Sequence, residues 1–470
     1  MRRAAPAGAA FFLRVKSCFC RSPDSSTYNS DMTHSTGTIH ELRKKLAAGT
    51  LRPSELAESA LARANRNQGR NSYLWQDPAW TRAEAARAEA MPRGSGGRFG
   101  DGRPDLWGLP ISVKDCFDLA GSPTSCGAHF YRDLNGTATR DSWLVEKLRA
   151  AGAVISGKTH LHALAYGITG ENPEFGDCIQ PGNPGALTGG SSSGACASVM
   201  EGSAIAAIGT DTGGSVRVPA ALCGLAGYRS TLSRGDWRGG AHLAKSFDTM
   251  GWLFRDLRDA LLLAAPFAGD AAKSRTQFGS FRRFVYITDS FLYDCEPEVA
   301  EGFHGVIRDL EALGLEGRSI DPAWWGEAVE IFAPIQASEA AQLHAGNFDR
   351  FEAAIRDRLK WGASLGPDEV ATLRRRHADF RARMDELFAQ NELLMLPCAP
   401  VVRLEAGADH SQTRARLLRY TAPFSLAGVP TVAIPCLRGG TQLAAGRDQD
   451  EALLDLVARI GERRRTHVAG

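Results

Sequence analysis

The chain has 470 residues, 43% of them hydrophobic and 23% charged, an ordinary globular balance with ample length for a large buried core. A formal net charge of +2 offers no electrostatic case for a nucleic-acid or anionic-membrane partner. No uninterrupted apolar run reaches the roughly 18–20 residues of a membrane span. The ten cysteines include no CxxC pair, which favours reduced structural thiols over a zinc site or a disulfide framework.

Residues 1–35 stand apart from the rest. The stretch "MRRAAPAGAAFFLRVKSCFCRSP" holds five basic residues and no acidic one, a composition like that of an organellar transit peptide. The plainer reading is a start placed too early, with Met32 as the true one, and a cytoplasmic protein. The folded domain is therefore expected over residues 36–470.

From Thr38 onward the pattern is regular. "TIHELRKKLAAG", "RPSELAESALARANR" and "AWTRAEAARAEA" have helical spacing with Thr, Pro–Ser and Gly at their boundaries. After the loop 92–105, "LPISVKD" alternates Leu109, Ile111 and Val113 against Pro110, Ser112 and Lys114, which predicts a strand half-facing a core. "SWLVEKLRAAG" predicts a helix and "AVISGKTH" a strand, with His160 and His162 read as ordinary helix residues beyond it. The small-residue stretch "ACASVMEGSAIAAIG" predicts a tightly packed helix feeding a buried strand. Residues 255–395 read as helix-rich, and "GVPTVAIPC", "GTQLAAG" and "DEALLDLVARIGE" as two strands and a closing helix. Alternating strands and helices without a linker imply one α/β domain.

Two glycine–serine turns carry the chemistry. "GGSSSG" (189–194) and "GTDTGGSVRVP" (209–219) place Ser191 and Ser215 only 24 residues apart. The second can form a nest in which the amides of Thr212, Gly213, Gly214 and Ser215 converge on an oxyanion beside the Ser215 hydroxyl. A serine nucleophile needs a base, and no histidine lies in this segment. A lysine serves only when neutral, and holding it so near pH 7.5 costs about 4 kcal/mol, which burial can supply. Lys114 ends an apolar strand and is the first candidate, with Lys158 the second.

Those residues carry a resemblance. "GLPISVKD", "TGGSSSGA" and "GTDTGGSVRVPAALCGLAGYRST" are similar to motifs of the amidase signature family of serine amidohydrolases. "GENPEFGDCIQPGNP", "AKSFDTMGW" and "APFSLAGVPTVAIPC" extend the resemblance over roughly residues 50–460. It implies one domain with a large mixed sheet between helical layers. It also implies a Ser–cis-Ser–Lys triad: Ser215 as nucleophile, Ser191 as the bridging serine after a cis peptide, Lys114 as base. Thr212, Gly213 and Gly214 then belong to the oxyanion hole, with Asp211 and Arg217 fixing the loop. Neither a metal nor an organic cofactor is implied; the expected partners are a small amide and, as an assembly, a second copy of the chain. Ser193 stands where the commonest family form has glycine, a swap shared with a branch resembling plant indole-3-acetamide amidohydrolases, which points to a small, aryl-acetic primary amide.

Three other readings compete. A glutaminase subunit of a tRNA-dependent amidotransferase shares the motifs, but usually has Gln where Val218 stands and a carboxylate where "RARLLRYTAP" offers Leu417 and Leu418. "GSSSG" also fits the nucleophile elbow of an α/β-hydrolase esterase with Ser192 as nucleophile, although "GNPGALTG" is a poor preceding strand. A non-catalytic amidase-like binding domain is the third. Glu171 and Asn172 are read as ordering the site wall, and Trp143 and Trp252 as core.

Overall fold

A computed structural model of the chain describes residues 37–94, 97–267 and 281–468. Its strands are β1 (Tyr73–Trp75), β2 (Pro110–Lys114), β3 (Val154–Thr159), β4 (Ala186–Leu187), β5 (Ala206–Asp211), β6 (Ala226–Arg229), β7 (Thr249–Phe254), β8 (Arg283–Ile287), β9 (Glu316–Ile320), β10 (Leu393–Pro397), β11 (Leu404–Glu405), β12 (Thr431–Pro435) and β13 (Gly440–Ala445). Eleven of them form one mixed sheet in the order β1-β3-β2-β5-β7-β6-β12-β13-β10-β8-β9. β2 runs parallel to both β3 and β5, and β8 to both β10 and β9, while the central strands pair antiparallel. β4 and β11 form a separate two-stranded sheet. Helices surround the large sheet, giving the single α/β fold expected from the sequence.

Local chemistry explains the helices that open it. Thr38 accepts the Glu41 amide while Glu41 returns a bond to the Thr38 amide, so a capping box starts the helix Ile39–Ala47. Proline at the first turn opens the helix Pro53–Arg66. Asp77 accepts the amides of Ala79 and Trp80 at the start of Pro78–Glu89. The boundaries agree closely with the apolar periodicity.

Strand alternation then sorts side chains onto two faces. Ala207 of β5, Leu253 of β7 and Ala433 of β12 share a small cluster with the helices that follow the two serine turns, Ser193–Glu201 and Arg217–Leu222. Ala206, Ile208, Trp252, Phe254, Val432 and Ile434 belong instead to the large core. β2 obeys the same rule, with Ile111 and Val113 in the large core and Ser112 bonded to Ser198 of the serine-side helix, Oγ to Oγ 2.8 Å. Lys114 shares the parity of Ser112 and so points toward the serine turns. One expectation needs correcting here: β2 is buried along its whole length, because both of its faces are covered. Another concerns His160 and His162, which follow β3 in the loop that precedes a short 3₁₀ turn rather than in a helix. Among the described residues, no helix is long and apolar enough to cross a membrane. The N-terminal stretch 1–35 lies outside the described residues.

Candidate active site

Lys114 ends β2 with no exposed surface, and its side-chain nitrogen is surrounded by hydroxyls. Nζ lies 2.8 Å from Ser191 Oγ, 2.8 Å from Thr210 Oγ1 and 3.1 Å from Ser192 Oγ. Burial lowers its pKa from 10.5 to about 8, and among the described residues it makes no ion pair. Lys158, the second candidate, differs decisively. Its Nζ is 2.6 Å from Asp115 Oδ1 and donates to Thr124 Oγ1 and the Pro123 carbonyl, so it is committed to bracing the 115–125 loop. Asp115 in turn accepts the amide and hydroxyl of Ser125.

The hydroxyl directions sort Ser191 from Ser192. Ser192 Oγ donates to the Thr210 carbonyl (3.2 Å) and accepts the Thr210 amide (3.3 Å), so its proton is already placed. A neutral Lys114 amine can then donate to Ser192 and Thr210 and turn its lone pair to the Ser191 proton. Ser191 follows a cis peptide from Gly190, as the resemblance implies. Gly209 matters here because of close approach: a Cβ on it would sit 2.7 Å from Ser192 Oγ. Ser192 is fully buried, and β4 before it has only two residues in the small side sheet, so the strand–elbow–helix geometry of an α/β-hydrolase is absent from this turn.

The second turn meets the first through the Ser192 amide, which donates to the Ser215 carbonyl at 3.2 Å. Ser215 is 6% exposed, at the mouth of the loop. Asp211, at the end of β5, organises that loop. Its carboxylate accepts the amides of Gly214 (2.8 Å), Val216 (3.2 Å) and Arg217 (3.3 Å) and pairs with two buried guanidiniums, Arg217 and Arg229, each at 2.9 Å. Burial opposes its charge, but Arg217 and Arg229 outweigh that and hold the carboxyl well below the usual carboxylate range. Arg217 also reaches Gln442 Oε1 (2.7 Å), Ser425 Oγ (2.8 Å) and the Thr421 carbonyl (3.2 Å), tying the loop to β13 and to the helix Thr413–Ala427.

This geometry corrects one candidate. The Gly214 amide is engaged by Asp211, so within the predicted oxyanion set the remaining donors are Thr212, Gly213 and Ser215. Gly214 itself has φ +121°, a conformation open to glycine, with Thr421 packed against it. Thr421 donates to the Gly213 carbonyl (2.5 Å), and Thr212 donates its hydroxyl to Asp248 (2.6 Å), whose other oxygen accepts the amides of Leu243 and Ala244.

Sequence reasoning missed Thr210, Arg229, Asp248 and Thr421. All four lie within stretches already quoted from the sequence, which was the available signal; their contacts with Lys114, Asp211, Thr212 and Gly213 are made only by the fold. Asn172 fulfils its expected role, its amide donating to the carbonyls of Gly127 (2.9 Å) and Leu161 (3.0 Å). Glu171 accepts the Thr169 hydroxyl (2.6 Å). His160 bonds Ser193 Oγ (2.9 Å) and the Gly176 carbonyl (2.8 Å), and burial lowers it to about 4, so it acts as a neutral brace behind the first turn.

The fold and the two serine turns are those of an α/β amidohydrolase. A family model described as Amidase matches residues 55–454, and the chain belongs to that family. It is an amidase, a hydrolase acting on C–N amide bonds. It is 30% identical over 481 residues to the A-type subunit of the glutamyl-tRNA(Gln) amidotransferase of Roseiflexus castenholzii, covering 90% of this chain and 94% of that one. It is likewise 30% identical over 459 residues to the indoleacetamide hydrolase of Pseudomonas savastanoi, covering 91% and 96%. A crystal structure of an amidase superposes with a TM-score of 0.80 at 29% identity, covering 91% of this chain and all of that one.

Proposed function

We propose that the enzyme hydrolyses a small carboxylic amide to acid and ammonia through an acyl-enzyme on Ser215. The observation that carries this reading is the fully buried Lys114 amine, without an ion pair among the described residues, 2.8 Å from Ser191 Oγ. Neutral Lys114 takes the Ser191 proton as Ser191 takes that of Ser215, and Ser215 Oγ attacks the amide carbon. The carbonyl oxygen becomes an oxyanion facing the amides of Thr212, Gly213 and Ser215. Lys114 and Ser191 return the proton to the departing nitrogen, ammonia leaves, and water cleaves the ester by the same relay.

The Pseudomonas relative is named for indoleacetamide, which supports an aryl-acetic acyl group here. The similarity to the amidotransferase proteins supports glutamine as the competing substrate. Against it, Leu418 sits within 3.0 Å of where a Gly213 Cβ would be, an apolar neighbour unsuited to an ammonium. Ammonia release from indole-3-acetamide, phenylacetamide, benzamide, short aliphatic amides and glutamine tests the reading. Turnover should vanish in Ser215→Ala and Lys114→Ala and persist in Ser192→Ala. Loss in Ser192→Ala alone, with Ser215→Ala active, would sink it.

A further inference from the structure

The Ser215 loop has a second carboxylate anchor besides Asp211. Antiparallel pairing of β5 with β7 sets Asp211 opposite Thr249, so the next residues outward, Thr212 and Asp248, face each other beyond the strand ends. The Thr212 hydroxyl donates to Asp248 Oδ1 at 2.6 Å, and the Thr212 amide belongs to the predicted oxyanion set. The segment before Asp248 folds back on it. The amides of Phe247 and Asp248 donate to the Ala244 carbonyl, while those of Leu243 (2.9 Å) and Ala244 (3.0 Å) donate to Asp248 Oδ2.

The fourth donor to this carboxylate is a side chain that takes no part in the proton relay. His242 Nδ1 lies 2.9 Å from Asp248 Oδ2. Because Oδ2 already accepts two backbone N–H groups, Nδ1 is the donor of this third bond. Asp248 is buried, and among the described residues His242 is the one basic side chain within ion-pair reach of it. The contrast with Asp211 is plain. Asp211 lies between two fully buried guanidiniums, whereas Asp248 depends on an imidazole with 19% of its side chain exposed. Arg229 approaches from the other side, but its hydrogen bonds go to Asp211 and to the carbonyls of Phe247 (3.0 Å) and Thr212 (3.4 Å).

Stacking holds the ring in place. His242 lies on Trp237 with centroids 4.3 Å and planes 26° apart, and Trp237 leans on Phe117 at 5.7 Å. The Ala241 amide donates to the Cys116 carbonyl (2.8 Å), which ties the same stretch to the end of β2. Ring, carboxylate and hydroxyl therefore form one line from a partly exposed edge to the Ser215 loop.

We propose that His242 is a positioning residue for amide hydrolysis: through Asp248 it fixes Thr212, and with it an amide that meets the oxyanion. The inference rests on the acyl-enzyme reading above and adds a residue to it. An oxyanion donor acts only within hydrogen-bond distance of the charge that develops, so a loosened Thr212 weakens the transition state more than the bound amide.

The test separates the N–H from the ring. His242→Phe keeps an aromatic ring against Trp237 and removes the donor; His242→Asn loses the stack and returns an N–H near the place of Nδ1. With the best amide of the panel, His242→Phe should lower kcat about tenfold with KM within about twofold of wild type, and His242→Asn should recover most of that loss. In a Thr212→Val background, where the link to Asp248 is already cut, His242→Phe should cost no more than about a further twofold. Should the phenylalanine variant not fold, His242→Leu takes its place. Wild-type kcat without the donor, equal losses in His242→Phe and His242→Asn, a change confined to KM, or full additivity with Thr212→Val would each overturn the proposal and leave the amidase reading intact. If no amide is turned over, phenylboronic acid reads the same loop. Ser215 Oγ bonds to boron, its proton passes to Ser191 and Lys114, and a boron-bound oxygen takes the oxyanion place. Its Kd should rise about tenfold in His242→Phe while that of phenylacetate stays the same. An unchanged boronate Kd would overturn the proposal; no boronate binding to the wild type would sink the acyl-enzyme reading and the inference with it.

Discussion

A single amine, Lys114, sets the pH behaviour. Only its neutral form accepts a proton, and its pKa is about 8 because burial penalises the charge. Below that value the neutral fraction falls tenfold per pH unit, so kcat/KM for a good amide should rise with slope one up to about pH 8 and then level. A profile flat from pH 6 to 9 would contradict the lysine base. Asp211 is the second residue with a sharp consequence. Replacing it by Asn strands Arg217 and Arg229 in the interior, an arrangement that costs about 3–5 kcal/mol. Urea denaturation should show that loss near neutral pH. The sign with pH follows from its depressed pKa: the unfolded carboxyl binds its proton first, so the stabilisation is full above about pH 4 and lost as pH falls toward the folded value. The Asp211→Asn gap should therefore shrink in acid.

The second serine turn leads from β5 of the large sheet into its helix, whereas the first reaches its helix from the small side sheet. Both enter short helices packed with small residues, and the two helices share one face of the large sheet. Small side chains let Ser192 approach β5 closely enough to bond Thr210 across the gap. Gly209→Ala places a methyl group 2.7 Å from Ser192 Oγ and 3.0 Å from Leu253 Cδ1, both in a packed interior. Overpacking of this kind costs about 1–3 kcal/mol, and the displaced turn should lower kcat more than it raises KM. Thermal unfolding with steady-state kinetics reads both effects. Wild-type kcat in this variant would show that the register between Ser192 and β5 is not needed.

At the scale of the whole molecule, we expect the folded unit to run from residue 36 to residue 470. The helix Ile39–Ala47 buries Ile39, Leu42 and Leu46, and its first amides sit on Asp259, with Ile39 N 2.7 Å from Oδ2. A chain beginning at Met32 should keep its melting temperature and kcat/KM. One beginning at Ala48 loses three buried side chains worth about 1.5–3 kcal/mol each and should melt well below it. Equal melting points for the two truncations would move the boundary past this helix.

Much of this was legible because it is local. Apolar periodicity placed the helices around residues 39–89, and β2, β3, β12 and β13 stood out as short apolar runs between turn residues. The glycine–serine turns, with Lys114 at an apolar strand end, marked the site before any coordinates. β9 was not legible: "EGRSI" is polar and largely exposed, and only pairing with β8 makes it a strand. The sequence ranked Lys114 above Lys158, but the physical reason for that order was not legible. Both are buried strand residues, and what separates them is a carboxylate beside one and three hydroxyls around the other. Those hydroxyls come from residues 77 to 96 positions away in the chain, and the Arg217 contacts from more than 200. The sequence alone determined which residue types meet in the turns, since glycine conformations and strand alternation act between neighbours. Which proton is mobile and which amides face an oxyanion were decided only by the tertiary structure, because each depends on which distant groups share a buried volume from which water is excluded.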